Sequence, residues 1–450
     1  MTEQKNTQAV GMAFMGMIFF IFGFVTTFNI TLADKFKAVF DLTDFKAQLV
    51  NGAFFFTYFV LSFASGSIIK KIGYKSGVIL GLVLVAAGSF LFFPAAKVPS
   101  FPFFLFAIFI MASGVVFLQV AANPYVTALG PSATASGRLN LTQALNSIAT
   151  TIAPIIASVF VFKTAAEGAL DSALNPAQQA AQSVPVPFII IGILVLIIAV
   201  VIFSLKLPVI TTVGEQKKSV WKYPHVILGA LGIFFYVGAE VGSAAMVQRY
   251  LQEAAGFTQS EAAKMIALYW GGAMIGRFYA SFMLSNTEKS KKYLYTVLVL
   301  ILAFLVGWYI RREITDGLIF VGVALVNYLA MQLGSGKANK TLAVFAVIAA
   351  LLVLATMTVP TNMVLWVGCS IGFFNSVMFP NIFALGVDGL DKGELSTASG
   401  IINTLIVGGA IIPVLMGQIA DGYGVKYAFI LPIICYAYIA FFALVGSKHK

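Results

Sequence analysis

Long apolar runs separated by short polar breaks fill almost the whole chain. Two of them, "AVGMAFMGMIFFIFGFVTTFNITLA" (9–33) and "VPFIIIGILVLIIAVVIFSLKL" (186–207), show the pattern at its plainest. A bilayer core takes about 20 apolar residues in helical form. The runs lack the period-2 alternation of barrel strands, and lipid admits no other spanning backbone. Cutting at charged or Pro/Gly-rich breaks predicts fourteen helices, over 9–33, 47–69, 76–96, 101–127, 138–162, 185–206, 224–248, 261–284, 293–310, 317–333, 341–359, 362–387, 396–417 and 426–446. The chain therefore reads as an all-α polytopic membrane protein.

Composition agrees. The 450 residues are 60% hydrophobic and 10% charged, against roughly 25% charged in a soluble domain. The net charge of +11 implies no nucleic acid, because no basic face alternates with aromatics in a soluble segment. Lysines and arginines instead flank the spans and set topology. With the N-terminus in the cytoplasm, 18 of the 28 Lys and Arg residues fall on inside segments, so both termini are expected inside. "RREITDG" (311–317) fits this least well, since it falls outside. Cys369 and Cys435 lie in apolar spans, with neither disulfide nor metal-ligand spacing. The N-terminus shows no cleavable signal, and no phosphate-binding loop appears, so ATP is not expected to drive the protein directly.

The chain repeats itself. "NPYVTALG" (123–130) and "MFPNIFALG" (378–386) each place a proline six residues before the glycine of an "ALG". Each is followed by "ASG" (135–137 and 398–400), then by Asn140 or Asn403, then by an apolar run with an internal proline. The offset here is 256 residues, but the fainter match of Gly66 to Gly276 is offset by 210. The growth corresponds to about two helices with their loops. The predicted plan is two six-helix repeats, 1–206 and 224–450, joined by a cytoplasmic linker at 207–223. An extra helical pair falls within 293–359.

Ionisable residues inside a span are costly, about 2.5–3.5 kcal/mol on insertion scales, and so mark function. Glu240, in "YVGAEVGSA", is the sharpest case and is the candidate carrier of a coupling cation. An internally paired structural acid, with Arg277 or Arg138 as partner, is the other reading. Arg138 and Arg277 read as gating or structural residues near cytoplasmic helix ends. Amides form a second group: Asn29, Gln119, Asn123, Gln143, Asn146 and Asn375. Singly they could glue helices together. As a set they offer the paired donors and acceptors that a polyol requires. Tyr269 and Trp270 precede a glycine pair and could stack on a sugar ring or pack within the bundle. Glu167 and Asp171, in the Ala/Gln-rich segment 162–185, form the pair outside the spans that an enzyme could use, and they read as a solvated connector. No enzyme is expected, and no metal or organic cofactor.

The stretch "LQVAANPYVTALGPSATASGRLNLTQALNS" (118–147), with "FFYVGAE" (234–240), "MFPNIFALGVDGL" (378–390) and "ASGIINTLIVGGAIIPVLMGQIAD" (398–421), resembles the fucose–galactose–glucose:proton symporter family of the major facilitator superfamily. The resemblance implies that superfamily's fold and cation-coupled monosaccharide uptake by alternating access, with H+ or Na+ as the ion. It also implies a bacterial inner-membrane location in the lipid bilayer, with a monomer expected. Fucose-transporting members carry acids where this chain has Gln119 and Ile30, the latter beside the retained Asn29. They share the amides Gln143 and Asn146. Members that carry glucose and galactose are similar to this chain in having an acid at position 240. Glucose or galactose is thus implied ahead of fucose, and the coupling site would move to helix seven. An uncoupled facilitator and a same-fold exporter are the alternatives.

Overall fold

The computed structural model describes residues 2–31, 44–97, 100–157, 185–204 and 219–448. The connector with Glu167 and Asp171, most of the linker 207–223, and the side chain of Asn29 lie outside the described residues. Among the described residues the secondary structure is helical throughout, and twelve helices are long and apolar enough to cross a membrane.

The helices are α1 (Thr2–Thr31), α2 (Asp44–Ile72), α3 (Tyr74–Lys97), α4 (Phe101–Ala128), α5 (Ala135–Ala157), α6 (Pro185–Ser204) and α7 (Pro224–Glu253). They continue with α8 (Gln259–Met283), α9 (Lys289–Arg311), α10 (Ile314–Leu333) and α11 (Ala338–Thr358). Three interrupted spans end the chain: α12 (Thr361–Gly386), α13 (Leu395–Tyr423) and α14 (Val425–Gly446). The helices match the fourteen predicted from sequence.

Local chemistry sets their ends. Pro224 opens α7, where its missing N–H costs nothing. Thr258 and Glu261 form a capping box at the start of α8: Glu261 N–H donates to Thr258 Oγ1 at 3.3 Å, and Thr258 N–H donates to Glu261 Oε2 at 2.9 Å. The "RREITDG" break is a tight hairpin. Arg312 adopts φ 62° and its N–H closes α9 on Trp308 O. Arg311 then grips Asp316 with two hydrogen bonds of 2.5 Å. The charges that fitted the topology least well are thus partners in one turn.

The chain forms two compact units: 1–125, 148–216 and 391–404 in unit 1, and 126–147, 217–390 and 405–450 in unit 2. In unit 1, α3 packs along α6, with Phe92 and Phe188 stacked at 3.7 Å between ring centroids. The first turns of α13 lie against α2. That approach is backbone to backbone, since a Cβ at Gly400 would stand 2.7 Å from the Ser62 carbonyl oxygen. In unit 2, α7 packs on the later turns of α13, α8 on α12, and α11 on α14. Helices α9 and α10 pack mainly on each other and on α8.

One sequence expectation needs refining. The span 362–387 is a broken helix, Thr361–Asn375 then Met378–Gly386. The cause is Pro380. Proline has no N–H to give to the carbonyl four residues earlier, which leaves Ser376 O without its helical donor.

Candidate functional site

The charged site lies in unit 2. Glu240 stands near the middle of α7 and is 8% exposed, as is Arg277 on α8. Arg277 Nη2 reaches Glu240 Oε1 at 3.4 Å. The same guanidinium makes two further bonds. Nη1 donates to Ser147 Oγ on α5 at 2.5 Å, and Nε donates to Ser376 O at 3.3 Å, the carbonyl freed by Pro380. One side chain therefore joins α5, α7, α8 and the break in α12. Sequence pattern grouped Arg277 with Arg138 near cytoplasmic helix ends. The structure separates them: Arg277 turns inward to the acid. Arg138 instead caps the end of α4, donating to the carbonyls of Val126, Thr127, Gly130 and Pro131.

A neutral network adjoins the pair. Tyr269, fully buried, donates its hydroxyl to Glu240 O at 2.9 Å and accepts from Asn375 Nδ2 at 2.5 Å. Tyr436 on α14 donates to Asn375 Oδ1 at 2.8 Å. Trp270 meets Tyr269 edge to face at 5.3 Å. Asn375 and Tyr269 thus already satisfy each other, while α8 and α12 touch closely enough that a Cβ at Gly372 would collide with Tyr269 O.

On α5, Gln143 and Asn146 are buried, and Asn140 donates to Ser136 O at 2.8 Å and to Asn381 Oδ1 at 3.2 Å. These residues also belong to unit 2.

Unit 1 holds Gln119 and Asn123, one turn apart on α4. Tyr58 donates to Gln119 Oε1 at 2.7 Å. Asn123 is fully buried, and neither its Oδ1 nor its Nδ2 has a partner among the described residues. An amide stripped of water and left unpaired costs about 1–3 kcal/mol.

Sequence reasoning missed Tyr58, Ser147, Ser376 and Tyr436. For Ser376 a signal was available, because it precedes Pro380 by four residues. Ser147 and the tyrosines carried none, since one hydroxyl in an apolar helix looks like any other. Among the described residues, no group of three or more His, Cys, Asp or Glu side chains could hold a metal ion.

A membrane-spanning helical protein whose halves repeat, with a buried ion pair and a set of buried amides, has the form of a secondary transporter. The chain belongs to the Major Facilitator Superfamily, whose profile matches residues 12–336. It is 37% identical to the glucose/galactose transporter of Brucella abortus (biovar 1, strain 9-941) over 99% of this chain and 97% of that one. It is 35% identical to the putative glucose/galactose transporter of Helicobacter pylori (strain 26695), over 99% of each. The fold matches a crystal structure of the Escherichia coli fucose:proton symporter with a TM-score of 0.76 and 27% identity, over 98% of this chain and 100% of the other.

Proposed function

We propose that this protein takes up a monosaccharide, glucose or galactose ahead of fucose, by symport with H+ or Na+. The observation that carries the reading is Glu240, a carboxylate buried in a membrane helix and held by an arginine at 3.4 Å. Such an acid binds a cation or proton at the cost of its ion pair, which is what coupling requires. Full-length similarity to transporters named for glucose and galactose supports the sugar.

Asn123, with both amide atoms unpaired, is the first candidate to meet a sugar hydroxyl. The other candidate sugar contacts are Gln119 and Asn29 in unit 1 and, separately, Gln143, Asn146, Asn375, Tyr269 and Trp270 in unit 2. The sequence repeats 1–206 and 224–450 serve as the moving bundles, with 207–223 as their linker. The hairpin α9–α10 is the extra pair: in unit 1 the third helix packs on the sixth, and in unit 2 it is α11 that packs on the last helix. The protein works as a monomer in a bacterial inner membrane, with both termini cytoplasmic.

The test is uptake of radiolabelled glucose and galactose into proteoliposomes under an imposed H+ gradient and, separately, a Na+ gradient. Accumulation under one gradient is expected, and Glu240→Gln should abolish it while leaving sugar exchange intact. Equilibration without accumulation under either gradient would instead make the protein a facilitator and Glu240 a structural acid.

A further inference from the structure

We propose that Arg277 is a positioning residue that transmits the loading of Glu240 to helix α5 through Ser147. The proposal rests on the reading of Glu240 as the coupling acid and assigns the step that follows loading.

The geometry supports a latch. Ser147 is 2% exposed, and its hydroxyl donates to Gln143 O at 3.0 Å. Its proton is thereby directed along α5, and its oxygen accepts from Arg277 Nη1 at 2.5 Å. A hydroxyl that already gives its proton to its own helix is a fixed acceptor. A hydrogen bond from a charged donor to such an acceptor is stronger than a neutral one. The guanidinium is planar, so its three bonds share one orientation. Nη2 cannot swing away from Glu240 without disturbing Nη1 on Ser147 and Nε on Ser376 O.

Loading changes one of these three partners. With Glu240 ionised, the pair holds Arg277 in the plane that reaches Ser147. A proton or Na+ on Glu240 cancels that attraction and leaves a buried cation with two neutral acceptors. The unloaded acid therefore favours the latched arrangement, and the loaded acid favours its release. The surroundings contain little else that could do this. Among the described residues, the titratable or charged groups around Glu240 are Arg277 and Tyr269 on α8, Tyr236 on its own helix and Tyr436 on α14. Helix α12 presents the neutral Asn375 and Ser376, and α13 presents Ile412 and Met416 against the glycines flanking Glu240. Of these groups, Arg277 is the one that also bonds α5.

Linkage gives the sign of the test. If loading opens the latch, weakening the latch must favour loading. In reconstituted full-length protein, Ser147→Ala should lower the H+ or Na+ concentration at half-maximal sugar uptake by about fivefold, at the lower end of typical coupling between sites. Ser147→Thr, which keeps the hydroxyl, should restore the wild-type value. In a Glu240→Gln background, adding Ser147→Ala should make no ion-dependent difference to sugar exchange. If Ser147→Ala does not fold, Ser147→Cys takes its place, because a thiol is a weak acceptor.

No shift, a shift of opposite sign, or a shift that persists with Glu240→Gln would overturn the latch while leaving the coupling acid in place. Accumulation that survives Glu240→Gln would overturn both readings, so the two failures are distinguishable.

Discussion

The repeat-related prolines Pro124 and Pro380 do the same thing to their helices and are answered differently. Each lacks the N–H that its helix would give to a carbonyl four residues earlier. In unit 1 the freed carbonyl is that of Val120, and it accepts from Ser399 Oγ at 3.0 Å. In unit 2 it is that of Ser376, and it accepts from Arg277 Nε at 3.3 Å. The Ser399 hydroxyl satisfies the carbonyl and accepts from Asn403 Nδ2 at 3.1 Å, a residue of its own helix. A guanidinium has donors to spare and carries them to Glu240 and Ser147.

The asparagines that follow the repeated "ASG" are more alike: Asn140 donates to Ser136 O and Asn403 to Ser399 O, both at 2.8 Å, and both leave a buried Oδ1 unpaired. The two halves keep a common backbone chemistry, and unit 2 has placed a charge upon it. Unit 1 thus holds uncharged amides on α4, and unit 2 holds the ion pair.

Substitutions can break or sharpen that contrast. The largest effect is expected from Arg277→Met. It leaves Glu240 buried without a counter-ion and Ser376 O without a donor, and should cost about 3–5 kcal/mol. The check is thermal unfolding in detergent, and adding Glu240→Gln to Arg277→Met should recover part of the loss. A smaller loss is expected where backbones touch. Gly372→Ala and Gly400→Ala press a methyl on Tyr269 O and Ser62 O, one in each unit, at about 1–3 kcal/mol. Gly322→Ala, in the interior of α10, meets nothing within 4 Å and should hold or slightly raise the melting temperature, which serves as the control. Next comes Ser399→Ala, the neutral counterpart of Arg277→Met. It removes one uncharged donor from Val120 O and an acceptor from Asn403 Nδ2, which keeps its bond to Ser399 O, and should cost about 1 kcal/mol. A loss equal to that of Arg277→Met would show that the freed carbonyl, and not the charge, matters in both units. The smallest effect belongs to Arg249→Ala. Its pairs with Glu253 and Asp421 at the ends of α7 and α13 are exposed, so they contribute under about 1 kcal/mol, and added salt should mask even that.

The membrane fold was legible because lipid enforces it. A span must be long, apolar and helical, and each of these properties is written in consecutive residues. The number of helices and the two-fold repeat could therefore be read directly. Glu240 was legible for the same reason: a carboxylate among glycines and apolar residues stands out. The partner of Glu240 was legible only as a choice between two arginines, of which the structure shows Arg277. Arg277 and Arg138 look equivalent in sequence, each a lone arginine in a glycine-containing stretch. Only the packing of α8 on α12, through Gly372 and its neighbours, turns one of them toward the acid. The other is drawn to the end of α4 by the carbonyls it caps.

What the sequence determined by itself, then, are properties that depend on one-dimensional spacing: helices, repeat and the rarity of charge within the spans. The tertiary structure decided the pairings. Tyr58 with Gln119, Tyr436 with Asn375, and Arg277 with Glu240, Ser147 and Ser376 join residues 37 to 130 positions apart. The physical reason is that a hydrogen bond is directional and short, so it depends on how helices are rotated and how closely they pack. Those two quantities come from the summed fit of many side chains, which no local spacing encodes. Asn123, whose amide finds no partner among the described residues, shows the same limit from the other side. Its burial and its unpaired amide emerge only when the surrounding helices are in place.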